Sequence, residues 1–198
     1  MWWAQLLNTI TAILDAGAGG GGTAYESIST VTVGAGGVAS VTFSSLPTSY
    51  AALQFRISAR STLAGTNADN VAFRINGNTS SIYTTHRLRA TSSVVSDAFA
   101  NLDYGYFPSA VPAAGNLSNT FAGIIADFHD YNSSTKTKTI RVFSGFDENG
   151  SSGNAGSPNV QLSSCLFNST SAMSSIVFQT SGNIAEGSVF SLYGIKGA

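Results

Sequence analysis

The chain has 198 residues, of which only 10% are charged, and its 9 Lys+Arg against 10 Asp+Glu give a formal net charge of -1. The few basic residues do not form the basic stripe that nucleic-acid binding requires. No apolar run reaches the roughly 18 residues of a membrane span. The twelve Phe and seven Tyr disfavour disorder, so we expect one globular domain with a small appendage.

The first predicted element is a short amphipathic helix over residues 1–15. A signal peptide is disfavoured by the absence of a cationic start, and a membrane-surface helix by the absence of Lys and Arg. We therefore predict a docking or oligomerisation helix, which is too short to be stable alone in water. Its apolar residues, four of them spaced 4-3-4 along one stripe, are Trp2, Trp3, Leu6, Leu7, Ile10, Ile13 and Leu14.

Residues 16–24 are predicted to be a flexible linker, because Gly17 to Gly22 contains five glycines and one alanine. The β-domain is expected over residues 25–198, where apolar residues change to a period of two. Leu53, Phe55 and Ile57 illustrate this spacing, which places every second side chain on one face of a strand. Residues 71–75 repeat it, and Asn76-Gly77 then predicts a hairpin turn before a strand that includes residues 81–83.

Further strands are predicted at residues 101–107, 121–128, 137–146, 160–167, 175–179 and 189–195. Turn-forming residues separate them, and no convincing helix follows Ala16. About ten short strands in this spacing indicate an all-β fold, namely an antiparallel β-sandwich of jelly-roll type.

Catalytic chemistry finds little support in the sequence, and no enzyme activity or cofactor is predicted. His86 and His129 are the two imidazoles. On a strand, Asp127 and His129 would share a face, so a carboxylate–imidazole pair or a metal site is geometrically possible. Since no third ligand has a recognisable spacing, a polar strand end is the favoured interpretation.

Two other stretches carry polar or aromatic groups with binding chemistry. The loop over residues 147–154, from Asp147 to Asn154, offers oxygen ligands for calcium, although its Asn149-Gly150 pair is sufficient as a turn. Tyr104 and Tyr106 are candidate contacts for a host surface glycan, because rings stack on sugar faces. Most aromatic residues in a sandwich nevertheless belong to its core.

Several stretches resemble a family of small structural proteins from the virions of tailed bacteriophages, and the resemblance spans residues 25–196. The stretches are Tyr25-Glu26-Ser27-Ile28, Val41-Thr42-Phe43-Ser44-Ser45-Leu46-Pro47, Leu53-Gln54-Phe55-Arg56, Phe73-Arg74-Ile75-Asn76-Gly77, Ile125-Ala126-Asp127-Phe128-His129-Asp130-Tyr131, Lys138-Thr139-Ile140-Arg141 and Phe190-Ser191-Leu192-Tyr193-Gly194-Ile195-Lys196. The resemblance implies a decoration, fibre or tail-associated protein of the virion, without catalytic residues. It also implies a homotrimer.

The low charge supports either of two interpretations, a neutral extracellular β-domain or a surface built for packing in an assembly. The 49 Ser and Thr residues suit the second, since hydroxyl groups cost less to desolvate than ions. A docking helix, a tether and a compact head describe a projecting fibre protein more closely than a cement protein that clamps capsid subunits. We therefore expect a projecting virion protein that contacts other virion proteins through residues 1–22, with no nucleic-acid or membrane partner.

Overall fold

The computed structural model describes residues 24–91, 93–147 and 159–197. The predicted helix over residues 1–15, nearly all of the predicted linker and residues 148–158 lie outside these ranges. Within the described ranges no helix is long and apolar enough to cross a membrane. Their strands are β1 (Tyr25–Thr32), β2 (Val38–Ser44), β3 (Ala52–Ala59), β4 (Ala68–Ile75), β5 (Tyr83–Ala90), β6 (Val94–Leu102), β7 (Gly105–Pro112), β8 (Ala122–His129), β9 (Lys138–Phe146), β10 (Asn159–Phe167), β11 (Ser175–Ile184) and β12 (Val189–Ile195).

The strands form two sheets in which every neighbouring pair is antiparallel. The large sheet has the order β1-β12-β3-β8-β9-β10-β5-β6, and the small sheet has the order β2-β11-β4-β7. Two consecutive strand pairs, β5–β6 and β9–β10, therefore widen the large sheet beyond its first four strands. The prediction of an all-β antiparallel fold is confirmed.

The inward faces of the two sheets share one apolar core. Leu53, Phe55 and Ile57 alternate inward on β3 and are at most 3% exposed, as their spacing predicts. The ring of Phe55 lies 5.2 Å from that of Phe43 on β2 and 5.0 Å from that of Phe178 on β11, both edge-on. Such pairs stabilise a core by about 0.5–1.5 kcal/mol beyond the area that they bury, and here they join one sheet to the other.

The inner face of the large sheet becomes polar along β5, where side-chain donors bind the edge strand β7. Thr85 Oγ1 donates to the carbonyl of Tyr106 at 3.0 Å, and Arg87 Nη1 donates to the carbonyl of Pro108 at 3.0 Å. Both donors are buried. Because this part of the interior lacks apolar alternation, the period-two pattern does not reveal β5 and β6.

The predicted strand over residues 101–107 is wrong, because a turn divides it. β6 ends at Leu102 and β7 begins at Gly105. Asp103 and Tyr104 lie between the two strands, and Asn101, with a φ of 56°, falls at an irregularity in the pairing of β6 with β5. The predicted strand at residues 81–83 begins only at Tyr83, the first residue of β5.

The turn at Asn76-Gly77 is present, but it does not join a hairpin. Both residues have positive φ, 53° and 64°, and Asn78 N donates to Ile75 O at 3.0 Å, as in a type I′ turn. However, β4 belongs to the small sheet and β5 to the large one. The local geometry follows from the two residues, whereas the pairing depends on the rest of the chain.

Lys138 holds two neighbouring loops together from a fully buried position at the start of β9. Its Nζ donates to the carbonyl oxygens of Ser133 at 2.6 Å, Lys136 at 2.8 Å and Thr170 at 2.9 Å. Desolvation by burial lowers the pKa of Lys138. The side chain therefore acts as a structural donor for the β8–β9 and β10–β11 loops.

Candidate functional site

The outward side chains of four adjacent strands in the large sheet form a continuous apolar stripe, which we call the apolar row. It consists of Ile125 on β8, Phe143 on β9, Leu162 on β10 and Leu88 on β5. Each residue is the direct cross-strand partner of the next. With strands about 4.8 Å apart, the row extends for about 14 Å.

The residues of the apolar row are far from buried. Phe143 and Leu162 are each 56% exposed, Leu88 is 52% exposed and Ile125 is 42% exposed. Val160, which is 47% exposed, lies two residues from Leu162 on β10 and enlarges the patch on the same face. We call this solvent-directed side of the large sheet the outer face.

Two shallow troughs adjoin the apolar row. One, of about 470 Å³, is lined by Ile125, Phe143, Ser58 and Gly123 among others. The second, of about 590 Å³, is lined by Leu88 and Leu162 together with smaller residues that include Ser164 and Ala98. The row is thus a ridge with open space beside it.

Polar side chains border the row and bind one another. Gln54 Nε2 donates to Asp127 Oδ1 at 2.7 Å, and Arg141 Nη2 lies 3.7 Å from Asp127 Oδ2. Arg141 Nη2 also lies 3.2 Å from His129 Nε2. The prediction that Asp127 and His129 share a face is confirmed, and Arg141 links the two.

The candidate metal-ligating residues do not form a cluster. Among the described residues no group of three His, Cys, Asp or Glu side chains comes together. His86 lies on β5 with Ser164 as its cross-strand partner. The calcium hypothesis falls on the loop from Asp147 to Asn154, of which only Asp147 is described.

The structure brings the two predicted glycan-contact residues together at the edge of the small sheet. The ring of Tyr104 lies 5.8 Å from that of Tyr106, and the ring of Phe99 lies 5.1 Å from Tyr106 on another side. Arg74 lies over Tyr104 at 5.8 Å and pairs with Asp103 at 2.9 Å. Both tyrosines are half-buried, so each keeps part of its surface in contact with solvent.

Burial changes the titration of Tyr106 and of the lone thiol. It raises the pKa of Tyr106, an effect to which the neighbouring Tyr104 adds. Burial also raises the pKa of Cys165 to about 11. Cys165 is 1% exposed, and its Sγ lies 3.1 Å from Thr85 Oγ1 and 3.3 Å from the carbonyl of Tyr106. The thiol is therefore protonated and enclosed at neutral pH.

The predicted anchoring residues Trp2, Trp3, Leu6, Leu7, Ile10, Ile13 and Leu14 lie outside the described residues. The apolar row was not predicted from the sequence, although the sequence carries a signal for it. On β9, Val142 is buried and its neighbour Phe143 is exposed, so apolar side chains lie on both faces of this strand. A strand with apolar residues on both faces indicates either burial on both sides or an exposed apolar face.

Comparison with known proteins gives little additional information. No protein-family model matches the chain, and no curated protein matches it. Among solved structures, the CBM2 module of the evolved Dit protein from Lactobacillus casei BL23 phage J-1 shows a weak similarity, with 10% sequence identity and a TM-score of 0.15. The comparison covers 80% of this chain and 69% of that one.

Proposed function

We propose that this protein is a non-enzymatic structural component of a tailed-bacteriophage virion, a projecting short-fibre or head/tail surface protein attached through its N-terminal segment. The observation that carries the proposal is the strand order. The sets β1-β12-β3-β8 and β2-β11-β4-β7 have the nested pairing of a jelly roll, a fold used by viral capsid and lectin domains. The pairs β5–β6 and β9–β10 are then insertions that widen one of its sheets.

The residues that carry the family resemblance also support this proposal, because they make long-range contacts. Asn76 Oδ1 accepts hydrogen bonds from the backbone of Ser174 at 2.8 Å and Ser175 at 3.2 Å. Tyr131 Oη donates to the carbonyl of Pro47 at 2.6 Å. These contacts join distant parts of the chain, so the residues that carry the resemblance have structural roles in this fold.

Attachment through residues 1–22 accounts for the unusual N-terminal composition. The segment carries one charged side chain, Asp15, and an apolar stripe that includes Trp3 and Leu7. Burying such a stripe in a particle surface contributes roughly 1.5–3 kcal/mol per large side chain. A tethered head on such an anchor projects from the particle, whereas a cement protein would use a broad rigid contact.

The anchor is tested by producing phage particles with the full chain and with its Trp3→Asp/Leu7→Asp variant. We expect the wild-type chain in purified particles and the variant only in the soluble fraction, folded and with unchanged circular dichroism. Equal incorporation of the variant would contradict attachment through this segment. Cryo-electron microscopy then distinguishes a projecting head from a flat decoration layer.

Recognition of a host surface glycan is the second candidate function, and the paired rings of Tyr104 and Tyr106 favour it. It predicts saturable binding on a glycan array that Tyr104→Ala abolishes. Tyr25→Ala is the matched control, because Tyr25 is a 44% exposed tyrosine on β1, whereas Tyr104 lies in the turn between β6 and β7. Absence of binding to any host polysaccharide would remove this function.

A further inference from the structure

The apolar row lies on a face where the fold does not require apolar residues. Along β3, the outward residues of the same sheet are Gln54, Arg56 and Ser58, as is usual for a solvated face of an antiparallel sheet. Large contiguous apolar patches on a soluble protein mark interaction sites. We propose that the outer face, centred on the apolar row, binds a second copy of this chain.

The shape of the face is suited to packing against another sheet. Side chains of two packed sheets interdigitate across about 10 Å, and here the ridge of exposed side chains adjoins troughs of about 470 and 590 Å³. A methyl group added at Gly123 would meet nothing within 4 Å, so the floor of the first trough is open. The ridge of one copy can therefore enter a trough of the other.

The charges around the row are already satisfied within the chain. Asp127 contacts Gln54 and Arg141. The Arg56 guanidinium lies 5.3 Å from the ring centre of Tyr25 and 4.9 Å from that of Tyr193. A copy that covers this face consequently buries Asp127 together with Arg141, which costs less than burying an isolated ion, while Arg56 keeps its contacts with the two tyrosine rings. A nearly neutral face fits an identical neutral face better than a strongly charged partner.

Other classes of occupant match the row less well. The four side chains of the row have no hydrogen-bonding group with which to read a sugar, and they provide no cluster of Lys and Arg for a lipid surface. The outer face spans eight strands of 7 to 9 residues. It thus covers about 1,000 Å², comparable to the roughly 800 Å² per partner of a standard protein interface.

The proposal is tested by sedimentation equilibrium of the full chain and of two matched leucine variants. Leu162→Arg alters the centre of the row, whereas Leu117→Arg alters a leucine of similar exposure, 53%, outside the row. We expect the wild type and Leu117→Arg to associate with the same affinity and Leu162→Arg to weaken association at least about tenfold. Circular dichroism and thermal unfolding verify that all three proteins fold.

Two results would overturn the proposal. One is a wild-type chain that stays monomeric well above a concentration of about 10 μM, where a specific interface of this size is expected to form. The other is association that Trp3→Asp/Leu7→Asp abolishes and Leu162→Arg leaves unchanged, because the N-terminal segment would then be the interface. Neither result depends on whether the protein enters a virion, so this inference and the proposed function can fail separately.

Discussion

Phe143 and Leu162 are direct cross-strand partners on β9 and β10, and each is 56% exposed on the outer face of the large sheet. Their neighbours in sequence, Val142 and Ser163, are buried on the opposite face. The strands β9 and β10 therefore place some of their large apolar side chains in solvent while a serine lines the interior. Apolar side chains on the solvent-directed face are expected for a sheet that packs against the core on one side and against another surface on the other.

Gly105, at the start of β7, is predicted to tolerate no side chain. A Cβ atom there would overlap the ring of Phe73, which is 1% exposed in the core. We expect Gly105→Ala to lower the free energy of unfolding by about 3 kcal/mol or more, measured by urea denaturation. Gly123→Ala on β8 is the control and should cost less than about 1 kcal/mol, since its Cβ meets open space. Similar losses for both variants would contradict the packing described at Gly105.

Lys138→Met should destabilise the protein although methionine fills a similar volume. The substitution leaves three carbonyl oxygens without their donor, at a cost of about 2–3 kcal/mol. Lys136→Met removes a largely exposed ion pair with Asp130 and should cost at most about 1 kcal/mol. Urea unfolding of both variants measures the difference. Equal free energies of unfolding for the two variants would mean that the Lys138 contacts make no net contribution to stability.

Asp97→Ala should weaken the attachment of β6, because it removes the partner of a buried guanidinium. Arg87 Nε donates to Asp97 Oδ2 at 3.1 Å, and the side chain of Arg87 is 6% exposed. Since Asp97 itself is 31% exposed, we expect a loss of about 2 kcal/mol, below the range for a fully buried pair. Asp103→Ala breaks the more exposed pair with Arg74 and should cost less than about 1 kcal/mol. Thermal unfolding that ranks the two variants in the opposite order would contradict this account.

We expect the free energy of unfolding to decrease in alkaline solution because of the buried thiol of Cys165. Burial raises the pKa of its thiol from 9.0 to about 11, so above pH 9 the unfolded chain releases this proton before the folded one does. The stabilisation is complete below pH 9 and disappears as the pH rises to 11, a change of about 2–3 kcal/mol.

The serine variant isolates this effect. Cys165→Ser cannot titrate in this range, whereas the tyrosines whose pKa burial raises, such as Tyr83 and Tyr131, remain in both proteins. The free energy of unfolding of the wild type should therefore fall more steeply than that of the variant between pH 9 and pH 11. Parallel curves would show that the thiol does not contribute.

Sequence reasoning recovered the elements in which a single apolar face meets the core. Leu53, Phe55 and Ile57 on β3 show this, because burial alone selects their alternation. It failed at β5 and β6, where Thr85 and Arg87 line the interior through hydrogen bonds rather than apolar packing. Side-chain periodicity does not report such partners, since they come from a distant strand.

The candidate site was predictable only in part for a related reason. Tyr104 and Tyr106 are two residues apart, so their proximity follows from the local chain. The apolar row instead joins residues from four strands, between Leu88 and Leu162 in sequence, and it exists only after the sheet has formed. The turn at Asn76-Gly77 shows the same division between local geometry and long-range pairing.

Quantitative mass spectrometry of purified phage particles, from cells that produce the protein, measures whether the chain is a virion component. We expect the chain to copurify with the particles in several copies per particle and to remain after a high-salt wash, because its contacts are largely uncharged. A chain that is abundant in the lysate but absent from the washed particles would contradict it.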